Sequence, residues 1–384
     1  MKITEIETIP LRLPTRRVHQ WASLTTPIGV YVIIKLRTDD GLVGLGEAPV
    51  LKDWGGDYGK YFGETPQTTM HIVNDILSPA LKGHDPCRFE QMHAIMDKAV
   101  KGYPYAKAAI DIALYDIAGK AMQVPAYQFL GGCFRDRVSV AHSLGLMEIQ
   151  KAIEEALQAK SEGVKTIKLK GGVDPERDVE LVRRMRDALG PDTKICVDAN
   201  QGYPTPKMAV RVIRAMEAFD LLYMEQPVEG IDRMAEVAKR VDTPIMADES
   251  AWTAQDVIEI VQKRAADMIS IYTTKPGGIF KAKKVAAVAE AAGLKCNVNG
   301  SVETGVGNAA NIHLAASTEV VTFDCVVPVS TPKGAGQQGI AGIYYQDDII
   351  KEAFEFTDGD ILVSTKPGLG IELDEEKLKH YRID

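Results

Sequence analysis

From residue 137 onward, short β-rich runs alternate with amphipathic stretches of helical spacing, repeating at roughly 23 to 30 residues. The runs are Val138–Leu144, Thr166–Lys170, Lys194–Asp198, Leu221–Glu225, Pro244–Asp248, Met268–Tyr272, Lys295–Val298 and Val320–Asp324. Eight strands with helices between them are what a (β/α)8 barrel requires, and a length of about 210 residues suits one. A doubly wound sheet competes. However, no glycine-rich nucleotide fingerprint follows an early strand, and Gly305-Val306-Gly307 is too short and too late to count. The reading is an α/β protein with a TIM-type (β/α)8 barrel over residues 126–345, with room for a modified last helix.

The flanks read differently, and 384 residues exceed one ordinary compact domain. Residues 1–10 and 28–48 alternate as strands do, with Thr38-Asp39-Asp40-Gly41 as a hairpin turn. Helical spacing follows over 66–80, 88–100 and 105–122, so residues 1–125 read as an α+β capping domain. The tail, 346–384, is mixed strand-like and polar and is expected to pack back on that domain.

Composition narrows the function. A hydrophobic share of 45% beside 26% charged residues fits a soluble globular protein. The net charge of −8, with no basic patch, argues against nucleic acid but not against an anionic substrate beside a metal. No apolar run approaches the roughly 20 residues that span a bilayer, and the first residues lack the apolar stretch of a signal peptide. The five cysteines (Cys87, Cys133, Cys196, Cys296 and Cys325) are scattered and never form a Cys-x-x-Cys pair. Reduced thiols in the cytoplasm fit that pattern.

Barrel enzymes place reacting groups at the C-terminal strand ends. Here the second run ends Ile167-Lys168-Leu169-Lys170, the third Val197-Asp198-Ala199-Asn200, and the fourth Met224-Glu225-Gln226-Pro227. The fifth ends Ala247-Asp248-Glu249-Ser250 and the sixth Ile271-Tyr272. Three carboxylates on adjacent strand ends would repel one another, and a hard divalent ion with oxygen ligands resolves that repulsion. Residues two apart share a strand face, so Lys168 and Lys170 both point inward. Two partly desolvated ammonium groups depress each other's pKa, which makes a usable base near neutral pH.

These residues, in this order, resemble the enolase superfamily, within it the muconate lactonising enzyme (muconate cycloisomerase) and mandelate racemase branch. The resemblance covers nearly the whole chain and rests on Lys-x-Lys, Asp-Ala-Asn-Gln, Glu-Gln-Pro, Asp-Glu and a late Gly277-Gly278. It implies that Asp198, Glu225 and Asp248 hold Mg²⁺, with Mn²⁺ as a substitute. It also implies that Lys170 is the general acid/base and Lys168 its electrostatic partner, acting on a small carboxylate substrate. A homo-oligomer is a further implication. Enzymes of this superfamily set a Lys or His base beside Mg²⁺ that stabilises an ene-diolate. Asn200 is expected either to touch the metal or a substrate oxygen, or to cap the next helix. Glu249 points away from its neighbouring ligand and supports it from behind. Asp324, four residues before Pro328, resembles an acidic position near the substrate carboxylate, or else balances a lysine at the rim.

The pattern departs from the family on the sixth strand. Lysine-based racemases of this family carry a second catalytic lysine five residues before the first glycine of the Gly-Gly pair, and that position here is Tyr272. Lys275 lies past the strand end, as a non-catalytic lysine or an alternative second acid/base. The mandelate racemase histidine position on the seventh strand is Asn299, a candidate substrate contact. A phenol, with an ordinary pKa of about 10, is a poor base. One-base chemistry follows: cycloisomerisation of the muconate type, or dehydration of a hydroxy or sugar acid. Racemisation or epimerisation ranks after these, and a non-catalytic binding protein last. Two loops, Pro14–Pro27 and Val50–Thr65, are expected to close the site, offering Arg16, Arg17, His19 and Trp21 from the first and Trp54, Tyr58, Tyr61 and Phe62 from the second.

Overall fold

The computed structural model describes residues 1–24, 26–334 and 339–384. The chain opens as an antiparallel meander of β1 (Ile3–Arg12), β2 (Val30–Thr38) and β3 (Val43–Pro49). The turn between β2 and β3 is set by its sequence. Thr38 Oγ1 donates to Asp40 Oδ1 (2.5 Å), and Gly41 takes a left-handed φ of +85°. Helical segments follow over residues 66–81, 89–99 and 104–122. The first is interrupted by a π turn at Ile72–Leu77 that the spacing does not reveal. The helix Pro104–Met122 is buried on nearly every side and lies across β3. A Cβ at Gly46 would come 1.8 Å from the Ala109 carbonyl oxygen, so strand and helix meet backbone to backbone.

The expected first run, Val138–Leu144, is two strands. β4 (Arg137–Ser139) pairs with the tail, and β5 (Ala141–Leu144) opens a parallel sheet. The sheet continues through β6 (Thr166–Lys170), β7 (Lys194–Asp198), β8 (Leu221–Glu225), β9 (Ile245–Ala247), β10 (Met268–Ile271) and β11 (Lys295–Val298), in chain order. No regular eighth strand forms at Val320–Asp324. The Thr322 and Phe323 amides both donate to the Cys296 carbonyl (3.0 and 3.3 Å), a bulge that breaks the ladder. Parallel bridges Cys296↔Val321, Asn299↔Val326 and Val140↔Cys325 close the ring between β11 and the chain leading into β5. The architecture is a (β/α)8 barrel with an N-terminal capping domain.

Loops after the strands end in residues suited to start the next helix. Glu148, Asp174, Thr205, Thr253 and Thr304 each cap a helix N-terminus with a side-chain oxygen. Each such cap contributes about 1 kcal/mol. In the tail, β12 (Phe356–Thr357) and β13 (Asp360–Leu362) extend β4, while Arg382 bridges Leu11 of β1. Capping unit and barrel are joined through Glu47 of β3. It accepts from the Thr304 and Gly307 amides (2.8 Å each), at the N-terminus of the helix after β11. Burial pushes the Glu47 carboxyl up to about 8. No helix among the described residues is long and apolar enough to cross a membrane.

Candidate active site

Pairing register builds the site. Lys170 lies beside Asp198, and Asp198 beside Glu225, because β6, β7 and β8 end level. Strand alternation then turns Lys168, Lys170, Asp198 and Glu225 into the barrel mouth, all four buried. Asp248 follows β9 directly, and one oxygen from each of Asp198, Glu225 and Asp248 lies within 4.8 Å of the others.

The charges are tightly interlocked. Lys170 Nζ donates to Asp198 Oδ2 (2.6 Å) and Asn200 Oδ1 (2.8 Å). Lys168 Nζ donates to Glu225 Oε1 (2.8 Å) and pairs with Asp198 Oδ2 (3.0 Å). The expected depression of one lysine by the other is outweighed at Lys168. Burial opposes its charge, but Asp198, Glu225 and Asp248 hold the ammonium well above its ordinary range. Burial, together with Asp198, pushes the Glu225 carboxyl well up. Glu225 Oε2 is buried without a hydrogen-bond partner among the described residues. A buried acceptor left open costs about 1–3 kcal/mol. That orphan oxygen, facing two further carboxylates, fits a hard divalent cation bound through oxygen.

Asn200 lines the cavity and does not cap the next helix, which Thr205 does. Its side-chain amide donates to Glu249 Oε1 (2.9 Å), which also accepts from Trp54 Nε1 (3.3 Å). Glu249 thus ties the second lid loop to the group holding Lys170. Tyr272 lines the cavity on its far side and donates its hydroxyl to Asp248 Oδ2 (3.0 Å).

Three sequence candidates lie elsewhere. Lys275 does not reach the cavity. Its ammonium is enclosed by Asp248 Oδ1 (2.6 Å), the Asp248 carbonyl (2.9 Å) and the Ser270 carbonyl (2.8 Å). Asn299 does not line the cavity, and its amide is engaged behind Glu225. It donates to Ser270 Oγ and Glu225 Oε1 and accepts from Asn297 and the Val326 amide. Asp324 stands at the opposite end of the barrel, accepting from Thr166 Oγ1 at the start of β6 (2.6 Å). The bulge at Thr322–Phe323 shifts the strand, so the chain reaches the mouth only at Val326.

The lid loops divide their side chains. His19, Trp21 and Trp54 reach the cavity, Tyr61 stacks on Trp252 at 4.6 Å, and Tyr58 and Phe62 point to solvent. Arg16 and Arg17 are both occupied by Glu155. Trp21 places its ring 5.5 Å from the Lys170 ammonium. Tyr344 and Val302 complete the wall and were not anticipated. Tyr344 comes in because its carbonyl accepts from the Arg16 amide (2.7 Å), pairing this late segment with the first lid loop. Its signal in sequence was only the aromatic pair Tyr344-Tyr345. Val302 adopts φ +62°, a costly conformation for a β-branched residue, and the Tyr31 hydroxyl bonds its carbonyl (2.7 Å). The space between these side chains is narrow, about 40 Å³, room for a few waters.

Comparison with known proteins covers both parts of the chain. Residues 4–131 match the mandelate racemase / muconate lactonizing enzyme N-terminal domain, and residues 151–377 match the enolase C-terminal domain-like family. The chain is 33% identical to the N-succinyl-L-Arg/Lys racemase of Bacillus cereus, over 100% of this chain and 98% of that one. It is 36% identical to the hydrophobic dipeptide epimerase of Enterococcus faecalis (84% and 89% covered) and 31% identical to muconate cycloisomerase 1 of Rhodococcus opacus (99% and 98%). Among solved structures, the Bacillus cereus N-succinyl Arg/Lys racemase superposes with a TM-score of 0.90 at 32% identity, covering 100% of this chain and 99% of that one. The muconate lactonizing enzyme of Pseudomonas fluorescens, complexed with muconolactone, also gives 0.90, at 30% identity and the same coverage. The chain therefore belongs to the mandelate racemase / muconate lactonizing enzyme family and is an enzyme of the enolase superfamily.

Proposed function

We propose that this enzyme moves a proton at the carbon α to a substrate carboxylate with one base, Lys170, in a Mg²⁺-dependent reaction of the cycloisomerase type. The observation that carries the reading is the wall opposite Lys170. The side chain there is Tyr272, and the ammonium beside it, Lys275, is sealed behind Asp248. Burial and the surrounding carboxylates, Asp248 first, keep the phenol protonated, and its hydroxyl already donates to Asp248 Oδ2 (3.0 Å), so it offers a hydrogen bond rather than a base.

Asp198, Glu225 and Asp248 would hold the cation, which when bound supplies positive charge to the carboxylate oxygens as the α-proton moves. Lys168 adds a fixed positive charge at the same end. Asn200 fixes where the Lys170 ammonium rests. In ring closure, a substrate oxygen adds to a conjugated carbon, the electron pair moves to the α-carbon, and Lys170 donates the proton there. The reverse direction returns that proton to Lys170. The aromatic walls from the lid loops, Trp21 and Trp54, limit access of water to the reacting carbon.

Racemisation or epimerisation is the second reading, favoured by the names of two of the relatives. Dehydration would use the same Lys170 step, with Tyr272 protonating the leaving hydroxide. The variant Tyr272→Phe separates these readings. We expect α-proton exchange with solvent to stay within about tenfold of the parent, since general acid–base contributions larger than that belong to the group moving the proton. Interconversion of enantiomers by the parent, lost in Tyr272→Phe, would instead make the phenol a second base.

A further inference from the structure

One atom of the second lid loop gathers hydrogen bonds from three parts of the barrel. Asp57 Oδ1 accepts from Ser250 Oγ (2.9 Å), the Gly230 amide (3.0 Å) and Gln201 Nε2 (3.1 Å). These three donors come from three different loops, those following β9, β8 and β7. β8 and β7 end at Glu225 and Asp198, and Asp248 directly follows β9. The three loops are also bound to one another through Gln226. Its Oε1 accepts from the Asp248 and Ser250 amides (2.9 and 3.1 Å), its Nε2 donates to Ser250 Oγ (2.8 Å), and its carbonyl accepts from the Gln201 amide (2.8 Å). Asp57 thus completes a network already shared by all three carboxylate-bearing strand ends.

Neighbouring lid residues leave little freedom in how the loop is seated. The Tyr58 amide donates to Glu229 Oε1 (2.6 Å), and the Tyr61 hydroxyl donates to Asp256 Oδ2 (2.5 Å). Trp54 packs between Trp252 and Tyr272, with ring centroids 5.5 Å away on each side. Gly56 has no room for a side chain, since a Cβ would meet Trp252 Nε1 at 2.7 Å and the Glu249 carbonyl at 2.9 Å. The loop therefore delivers Trp54 to the cavity wall in one register, and Asp57 is the contact that fixes that register against the strand ends.

We propose that Asp57 is a positioning residue that couples seating of the second lid loop to the arrangement of the Asp198, Glu225 and Asp248 loops, so that cation binding and lid closure strengthen each other. The coupling half rests on the reading of those carboxylates as the cation site. Two variants separate the outcomes. Asp57→Ala removes the shared acceptor, whereas Asp57→Asn keeps an oxygen at Oδ1. Hydrogen exchange of residues 50–65 and calorimetric titration with Mg²⁺ alone are the two readouts, with Tyr58→Ala, at a solvent-exposed side chain, as the control.

In Asp57→Ala we expect exchange across 50–65 to rise about tenfold or more, and Mg²⁺ affinity to fall several-fold, as loss of three shared hydrogen bonds requires. Asp57→Asn should recover most of both effects, and Tyr58→Ala should show neither. Unchanged lid exchange in Asp57→Ala overturns the latch. Raised exchange with unchanged Mg²⁺ affinity overturns the coupling. Failure of the parent protein to bind Mg²⁺ would refute the cation reading and the coupling with it, while the exchange readout still decides the latch.

Discussion

Alanine at Lys170 is expected to abolish exchange of the substrate's α-proton with solvent, a loss of about 10²–10⁴-fold or more, the range general acid–base catalysis supplies. The reason is geometric. Lys168 and Lys170 both line the cavity, but Lys170 lies at the very end of β6, with its ammonium held by Asn200 and Asp198. Lys168 stands one strand repeat further in, between Asp198 and Glu225, and cannot take over without leaving both. Folding should survive the change, because Asp198 keeps Lys168 as partner and Asn200 keeps its bond to Glu249. Deuterium uptake followed by NMR, with circular dichroism as the folding control, gives the answer. Exchange at a rate near the parent's would remove Lys170 from the mechanism.

The second large effect lies at Lys275 and concerns stability. The residue is 2% exposed, and its ammonium is bonded to Asp248 twice and to the Ser270 carbonyl. Lys275→Met leaves Asp248 as a buried carboxylate without its cation, and breaking such a pair costs about 3–5 kcal/mol. Thermal unfolding should therefore begin many degrees lower. Added Mg²⁺ should restore part of the loss, because a ligand bound only by the folded state stabilises it. A side chain serving as an acid/base would instead lose rate and leave stability nearly untouched. Unaltered thermal stability in Lys275→Met would contradict the structural role.

Much of the site was legible because its residues are bound to strand ends. Parallel strands of similar length end level, so Lys170, Asp198, Glu225 and Asp248 fall together once the period of the repeat is recognised. What failed were inferences that need three-dimensional register. Asp324 looked like the end of an eighth strand, but the bulge at Thr322–Phe323 leaves it beside Thr166 at the other end. Asn299 and Lys275 belong to the neighbourhood of the carboxylates, yet both spend their hydrogen bonds behind them. Spacing alone does not tell the front of a ligand from its back. Tyr344 reaches the cavity from nearly 330 residues after Thr15, its neighbour's bridge partner, and no local pattern encodes that pairing. In the capping domain, Glu47 reads as an ordinary strand residue, and only the packed structure shows it holding the start of a barrel helix.

In the proposed reaction one face of the substrate meets a base and the other does not. The stereochemistry of deuterium incorporation at the α-carbon, measured for the Mg²⁺-loaded enzyme with an acid it turns over in ²H₂O, tests this most directly. Deuterium delivered in a single configuration, from the Lys170 face alone, is the expected result. Deuterium appearing in both configurations during turnover would show a second base opposite Lys170 and contradict it.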